Sequence, residues 1–143
     1  MNFEGKVAVI TGSSAGIGAE AAKKISALGG KVTINYSKSK EAAEEVAHEC
    51  SHLGESPLII KSDIATDEGC KHLIDSAFSE LGAINILINN AGRTKFADHS
   101  NLDALQRDDF ENILALNLNS NYELIKHARP HLAKNKKSSI VNI

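Results

Sequence analysis

Residues 7–18, Val-Ala-Val-Ile-Thr-Gly-Ser-Ser-Ala-Gly-Ile-Gly, constrain this chain more than any other stretch. A short apolar run passes into a glycine-rich turn, and the turn opens into a helical pattern running to about Leu28, which predicts strand, tight turn and helix start. The first N–H groups of a helix lack intrahelical acceptors and lie at the positive end of the macrodipole, so such a turn is suited to holding a phosphate. Gly12 can supply the unusual backbone angles of the turn. Gly16 and Gly18 remove side chains where a diphosphate approaches the backbone and where the helix lies close on its strand. The spacing is Gly-x-x-x-Gly-x-Gly rather than the commoner Gly-x-Gly-x-x-Gly, and an ordinary turn is the alternative for this stretch alone.

The rest of the chain alternates in the same way. Gly29-Gly30 ends the first helix, and residues 31–36 read as a second strand. A helix from residue 41 to about residue 53 places Ala43, Val46, Ala47, Cys50 and Leu53 on one face. Residues 57–61 form a third strand that leads into Ser62-Asp63-Ile64-Ala65. The cleanest helical period follows, with Cys70, Leu73, Ile74, Ala77, Phe78 and Leu81 in register, Thr66 as N-cap and Gly82 as stop. Residues 84–88 are a fourth strand ending at Asn89-Asn90-Ala91-Gly92. After a polar segment with a short helix near residues 102–106, one long helix is expected from about residue 109 toward 132, kinked or ended by Pro130. Residues 138–143 begin a fifth strand, inside which the sequence stops.

Short apolar strands alternating with amphipathic helices predict an α/β fold: a doubly wound parallel sheet of about five strands, helices on both faces, in one domain over residues 1–143. Ligands of such sheets bind beyond the carboxyl ends of the strands, where the loops after the first four strands gather. Sixteen Lys and Arg against eighteen Asp and Glu give a formal charge of −2, which offers no attraction to nucleic acid or an anionic membrane. No export signal or long apolar segment is visible, so a cytoplasmic location is expected. Cys50 and Cys70 fall on helical faces without Cys-x-x-Cys spacing and read as reduced, partly buried thiols.

Four stretches together, residues 11–18, Asp63-Ile64, Asn89-Asn90-Ala91-Gly92 and Asn117 in the long helix, resemble the short-chain dehydrogenase/reductase family over essentially the whole chain. The resemblance implies a Rossmann-type fold, a nicotinamide dinucleotide, and reversible hydride transfer between an alcohol and a carbonyl of a small molecule. It puts the diphosphate on Gly12, Ser13, Ser14, Gly16, Ile17 and Gly18, the adenine near Asp63 and Ile64, and the ribose and nicotinamide side near Asn90, Ala91 and Gly92. Asn117 matches a member of the family's catalytic group that helps hold a water in a proton relay. It also falls on the apolar stripe Phe110, Ile113, Leu114, Leu118 and Ile125, where a buried amide must find partners; a satisfied core Asn is the other reading.

Dehydrogenases that take the unphosphorylated dinucleotide commonly carry an acid at the end of the second strand, where it binds the ribose hydroxyls. Tyr36, Ser37 and Lys38 stand there instead, which favours NADP(H), with NAD(H) as the alternative. His48-Glu49-Cys50-Ser51-His52 matches the zinc-protease pattern His-Glu-x-x-His, but both histidines fall opposite the apolar face, so no metal site is assigned. His127 and His131 read as surface residues.

The family's chemistry uses a Ser and a Tyr-x-x-x-Lys pair. Tyr36 with Lys40 and Tyr122 with Lys126 have that spacing, yet both precede the fifth strand, whereas the family's pair lies on the helix after it. The expectation is an incomplete chain, truncated within the fifth strand, nearly inactive by itself and lacking half of the family's usual homo-oligomeric interface. A non-catalytic dinucleotide-binding or interaction module is the alternative.

Overall fold

The computed structural model describes residues 2–143. Its twelve elements are β1 (Val7–Ile10), α1 (Gly16–Ala27), β2 (Lys31–Tyr36), α2 (Lys40–Leu53), β3 (Leu58–Lys61), α3 (Asp67–Leu81), β4 (Ile86–Asn89), a 3₁₀ turn (Leu102–Ala104), α4 (Arg107–Leu114), a π-helical turn (Ala115–Asn119), α5 (Ser120–Leu132) and β5 (Ser139–Asn142). The strands form one parallel sheet in the order β3-β2-β1-β4-β5. Strand order reverses direction between β2 and β4 on either side of β1, so the loops after β1 and β4 meet at the switch point.

Alternation along β1 divides the core into two layers. Ala8 and Ile10, with Val32, Ile34 and Ile88, face α1 and α2 and pack on Ala22, Ile25, Ala43 and Cys50. Val9 and Leu87 face the other way and pack with Ile60, Leu73, Ile74, Leu124 and Ala128 of α3 and α5. This is the two-sided doubly wound sheet that the alternating pattern predicts.

Several local expectations are corrected. β4 starts at Ile86 rather than at residue 84, because Asn85 turns its side chain into the sheet: Oδ1 accepts from Val7 N at 3.0 Å. Leu53 closes α2 but is exposed, whereas Ala43, Val46, Ala47 and Cys50 are buried as expected. The helical segment ends at Leu132 as expected, with Pro130 inside α5 rather than at its end. The single long helix is instead two α-helices joined by the π turn, and its buried face is Leu116, Ser120, Leu124, Ala128 and Leu132. The stripe Phe110, Leu114 and Leu118 is exposed, and so is Asn117. The wider turn changes which side of the helix meets α3, a shift that an uninterrupted helical period does not anticipate.

α3 matches expectation closely. The Thr66 hydroxyl accepts from Gly69 N at 3.0 Å as N-cap, and Gly82 closes the helix in the left-handed region at φ 74°. No described helix is long and apolar enough to cross a membrane.

Candidate functional site

The glycine turn connects β1 to α1 under tight steric limits. Gly12 has φ 59°, and a Cβ there would lie 2.9 Å from the Ala91 backbone. A Cβ on Gly18 would come within 2.5 Å of Asn90 Nδ2 and 2.8 Å of the Gly12 carbonyl. Thus the turn after β1 is built against the turn after β4, and the two glycines are what allow it.

Thr11 and Asn90 join the same two turns by hydrogen bonds. The buried Thr11 hydroxyl oxygen accepts from Asn90 N at 2.9 Å and from Ala91 N at 3.0 Å. The Asn90 side chain returns the contact, Nδ2 donating to the Thr11 carbonyl at 2.9 Å and the Gly12 carbonyl at 3.2 Å. Asn90 is therefore fixed by the glycine turn at the point where the strand order reverses.

The start of α1 is left open. Ala15 stands at the N-cap position with no side chain able to cap, and the first turn carries no acid. Among the described residues, the N–H groups of Ser14, Ala15, Gly16, Ile17 and Gly18 donate to no protein acceptor. Clustered orphan donors at a helix start favour an anion. The removal of side chains at Gly12 and Gly18 and this uncapped start both fit a bound diphosphate.

A cleft of about 390 Å³ opens at this end of the sheet. It gathers Gly12, Ser14, Tyr36, Ser37, Lys38, Asp63, Ile64, Asn90, Ala91 and Gly92, all read from the sequence as candidates. Ser13, Gly16, Ile17, Gly18 and Asn117 do not line it. Ser13 is fully buried, with its hydroxyl donating to the Ile10 carbonyl at 2.9 Å. Its side chain belongs to the sheet rather than to the cleft. Ile17 is exposed in the first turn of α1, and Gly18 acts through its closeness to Asn90.

Asn117 lies in the π turn and grips the chain just after Asn90-Ala91-Gly92. Its Oδ1 accepts from Arg93 N and its Nδ2 donates to the Arg93 carbonyl, both at 2.9 Å. The partners expected for this amide exist, although the residue is exposed rather than buried. π turns inserted in α-helices recur at functional sites.

Asn35, Ser39, Ser62, Arg93 and Leu116 also line the cleft and were not singled out from the sequence. Asn35 stands in Lys-Val-Thr-Ile-Asn-Tyr, where the polar alternation with Lys31 and Thr33 reads as a solvent-facing side of the strand, yet Thr33 and Asn35 are both buried. Lys38 makes no ion pair among the described residues, whereas Lys40 beside it is held by Glu44 at 3.1 Å.

Beyond the cleft, His127 Nε2 lies 2.7 Å from Asp67 Oδ1. This contact, foremost, holds the Asp67 carboxyl down at about 2. Asp67, Glu123 and His127 bring one ligand atom each within 4.8 Å of one another, but Lys126 Nζ already lies 2.6 Å from Glu123 and 3.6 Å from Asp67. His127 and His131 are both half-buried, correcting the surface reading; His131 packs its ring on Phe78, and burial lowers its pKa. His48 and His52 are exposed as expected. Cys50 and Cys70 are free and buried, and burial pushes the Cys70 thiol up to about 12.

With this geometry in place, the sequence matches the short chain dehydrogenase family over residues 6–143. The chain belongs to that family. A short chain dehydrogenase of Emericella nidulans is 33% identical over 130 residues, covering 91% of this chain and 48% of that protein. The crystal structure of a short chain dehydrogenase from Burkholderia cenocepacia, in complex with NADP, aligns with a TM-score of 0.91 at 33% identity, over 99% of this chain and 56% of the other. A 3-ketoacyl-(acyl-carrier-protein) reductase from Brucella melitensis, complexed with NADH, aligns at TM-score 0.85 and 31% identity over 97% and 56% of the two chains. This short-chain dehydrogenase sequence thus spans about half the length of the relatives it matches. Those relatives include structures with either nicotinamide dinucleotide.

Proposed function

We propose that the cleft binds a nicotinamide dinucleotide, NADP(H) in preference to NAD(H), in the service of hydride transfer between an alcohol and a carbonyl. The observation that carries this reading is the uncapped start of α1, with its row of N–H groups lacking acceptors beside the Gly12 turn. The diphosphate takes these donors. Adenine lies by Asp63 and Ile64, the adenosine ribose near Tyr36 and Ser37, and the nicotinamide half along Asn90, Ala91 and Gly92. Lys38, free of any carboxylate among the described residues, meets the 2′-phosphate.

When bound, the dinucleotide supplies or accepts the hydride. The protein's own part is positional and protonic: Thr11 fixes Asn90, and Asn117 fixes Arg93 and, in its catalytic role, holds a water in the proton relay. Substrate is a small carbonyl or alcohol, and the acting protein is a soluble oligomer of the cytoplasm.

A second reading is binding without turnover. Tyr36 is a buried wall of the cleft, and Tyr122 lies on the exposed face of α5 beside a Lys126 already paired with Glu123. Neither is arranged as an acid/base for a substrate, so residues 1–143 hold the cofactor with little activity by themselves.

Fluorescence titration of NADPH and NADH against the purified chain tests both readings. NADPH binds more tightly than NADH, and Lys38→Glu reverses the order. Equal affinities overturn the NADP(H) preference, and no binding of either overturns the dinucleotide reading. Turnover of a carbonyl panel by these residues alone rejects the second reading.

A further inference from the structure

We infer that Asn35 is a positioning residue that ties the glycine turn to the loop after β3 and so sets the distance between the diphosphate wall and the adenine wall of the cleft. The inference rests on the dinucleotide reading for its ligand, but its geometry is independent of it. Asn35 lies in β2 opposite Ile60 of β3 and is only 2% exposed.

Its side chain reaches both neighbours of β2. Oδ1 accepts from Gly12 N at 3.1 Å, while Nδ2 donates to the Ser62 carbonyl at 3.2 Å and the Ile60 carbonyl at 3.4 Å. Its backbone adds a reciprocal pair with Ser13: Asn35 N donates to Ser13 Oγ at 2.9 Å, and Ser13 N donates to the Asn35 carbonyl at 3.1 Å. The carboxamide therefore spans from the residue that begins the glycine turn to the residue that precedes Asp63.

The chemistry is specific to an amide. One end must accept from an N–H and the other must donate to two carbonyl oxygens, an arrangement that Asp, Ser or a hydrophobic residue of similar size cannot reproduce. Gly12 N and Ser13 N are both consumed by Asn35, which leaves the later N–H groups, from Ser14 to the first turn of α1, for an anion. Asn35 thus selects which donors of the turn are free as well as where they stand.

Asn85 provides an internal control. It is another buried amide, 3% exposed, in the turn just before β4, whose Oδ1 accepts from Val7 N at 3.0 Å, but it lies at the opposite, amino-terminal end of the sheet. Asn35→Ala and Asn85→Ala each remove a buried acceptor from a backbone N–H, whereas only the first touches the cleft. Both variants are compared with the unaltered chain at a temperature where circular dichroism shows each folded. If Asn35→Ala does not fold, Asn35→Asp replaces it, keeping the Gly12 acceptor while losing both donors.

Two readouts are taken. Asn35→Ala weakens NADPH and ADP-ribose binding by about tenfold or more, the equivalent of one or two lost hydrogen bonds, while Asn85→Ala leaves both unchanged. In backbone amide NMR spectra without ligand, Asn35→Ala moves the resonances of Gly12, Ser13 and residues 62–64 together, and Asn85→Ala does not. Unchanged affinity in Asn35→Ala, an equal loss in Asn85→Ala, or shifts confined to β2 overturn the inference. Failure of the unaltered chain to bind NADPH overturns the dinucleotide reading instead, and the NMR comparison then decides the tether.

Discussion

The Asn117 side chain and the Arg93 peptide group hydrogen-bond to each other in both directions, donor to acceptor and acceptor to donor, each at 2.9 Å. This pairing resembles one rung of a sheet ladder with a side chain standing in for a strand. It fixes the first residue after Gly92 and so bears on the whole polar segment that follows.

Asn117→Ala should release that segment at a modest cost in stability, about 0.5–1.5 kcal/mol per hydrogen bond, because the residue is exposed and water can replace it. Urea unfolding measures the cost. Hydrogen exchange at Arg93 N should accelerate while exchange in β4 stays unchanged; an Arg93 amide that remains protected rejects the clasp.

Gly18→Ala should be far more damaging than its one added methyl suggests. The new Cβ would meet Asn90 Nδ2 at 2.5 Å and the Gly12 carbonyl at 2.8 Å, so either the Asn90 bridge to Thr11 and Gly12 breaks or the helix lifts from the turn. Overpacking of this kind costs about 1–3 kcal/mol. The variant should unfold at lower urea and lose NADPH binding, and a variant as stable as the parent contradicts the packing described.

Asp67 gives a pH dependence with a defined sign. Its carboxyl, ordinarily at 3.8, is held down at about 2, foremost by the hydrogen bond to His127, with the charge of Lys126 acting in the same direction. A depressed folded-state value adds stability above the ordinary one and loses it as pH falls through the folded one. The deficit of Asp67→Asn relative to the parent should accordingly be full near pH 6 and shrink between pH 4 and about 2. Urea midpoints measured across that range check it; a deficit independent of pH places the effect elsewhere.

The fold was legible because strand and helix differ in period and in their turn residues, and the elements with clear end signals, β2 and α3, were the most accurately bounded. The helix after residue 106 was harder, because a π turn has no composition of its own and its phase is set by packing on α3. Hence Leu116, Ser120 and Leu124 face the core in place of Phe110, Leu114 and Leu118. Within the cleft, Gly12 was legible from the glycine spacing and Asn90 from the family resemblance. The inward turn of Ser13 was not, since it follows from Asn35 on a different strand, a neighbour that only the assembled sheet supplies.

Among the described α-helices, α1 alone has neither a capping side chain nor an acid in its first turn. An anion bound at that start, as proposed above, would stand where the other helices keep a capping side chain or an acid, and so would finish the helix. A ligand at a hundred times its dissociation constant adds about 2.7 kcal/mol to the folded state. The melting temperature of this chain is then a gauge of its occupancy.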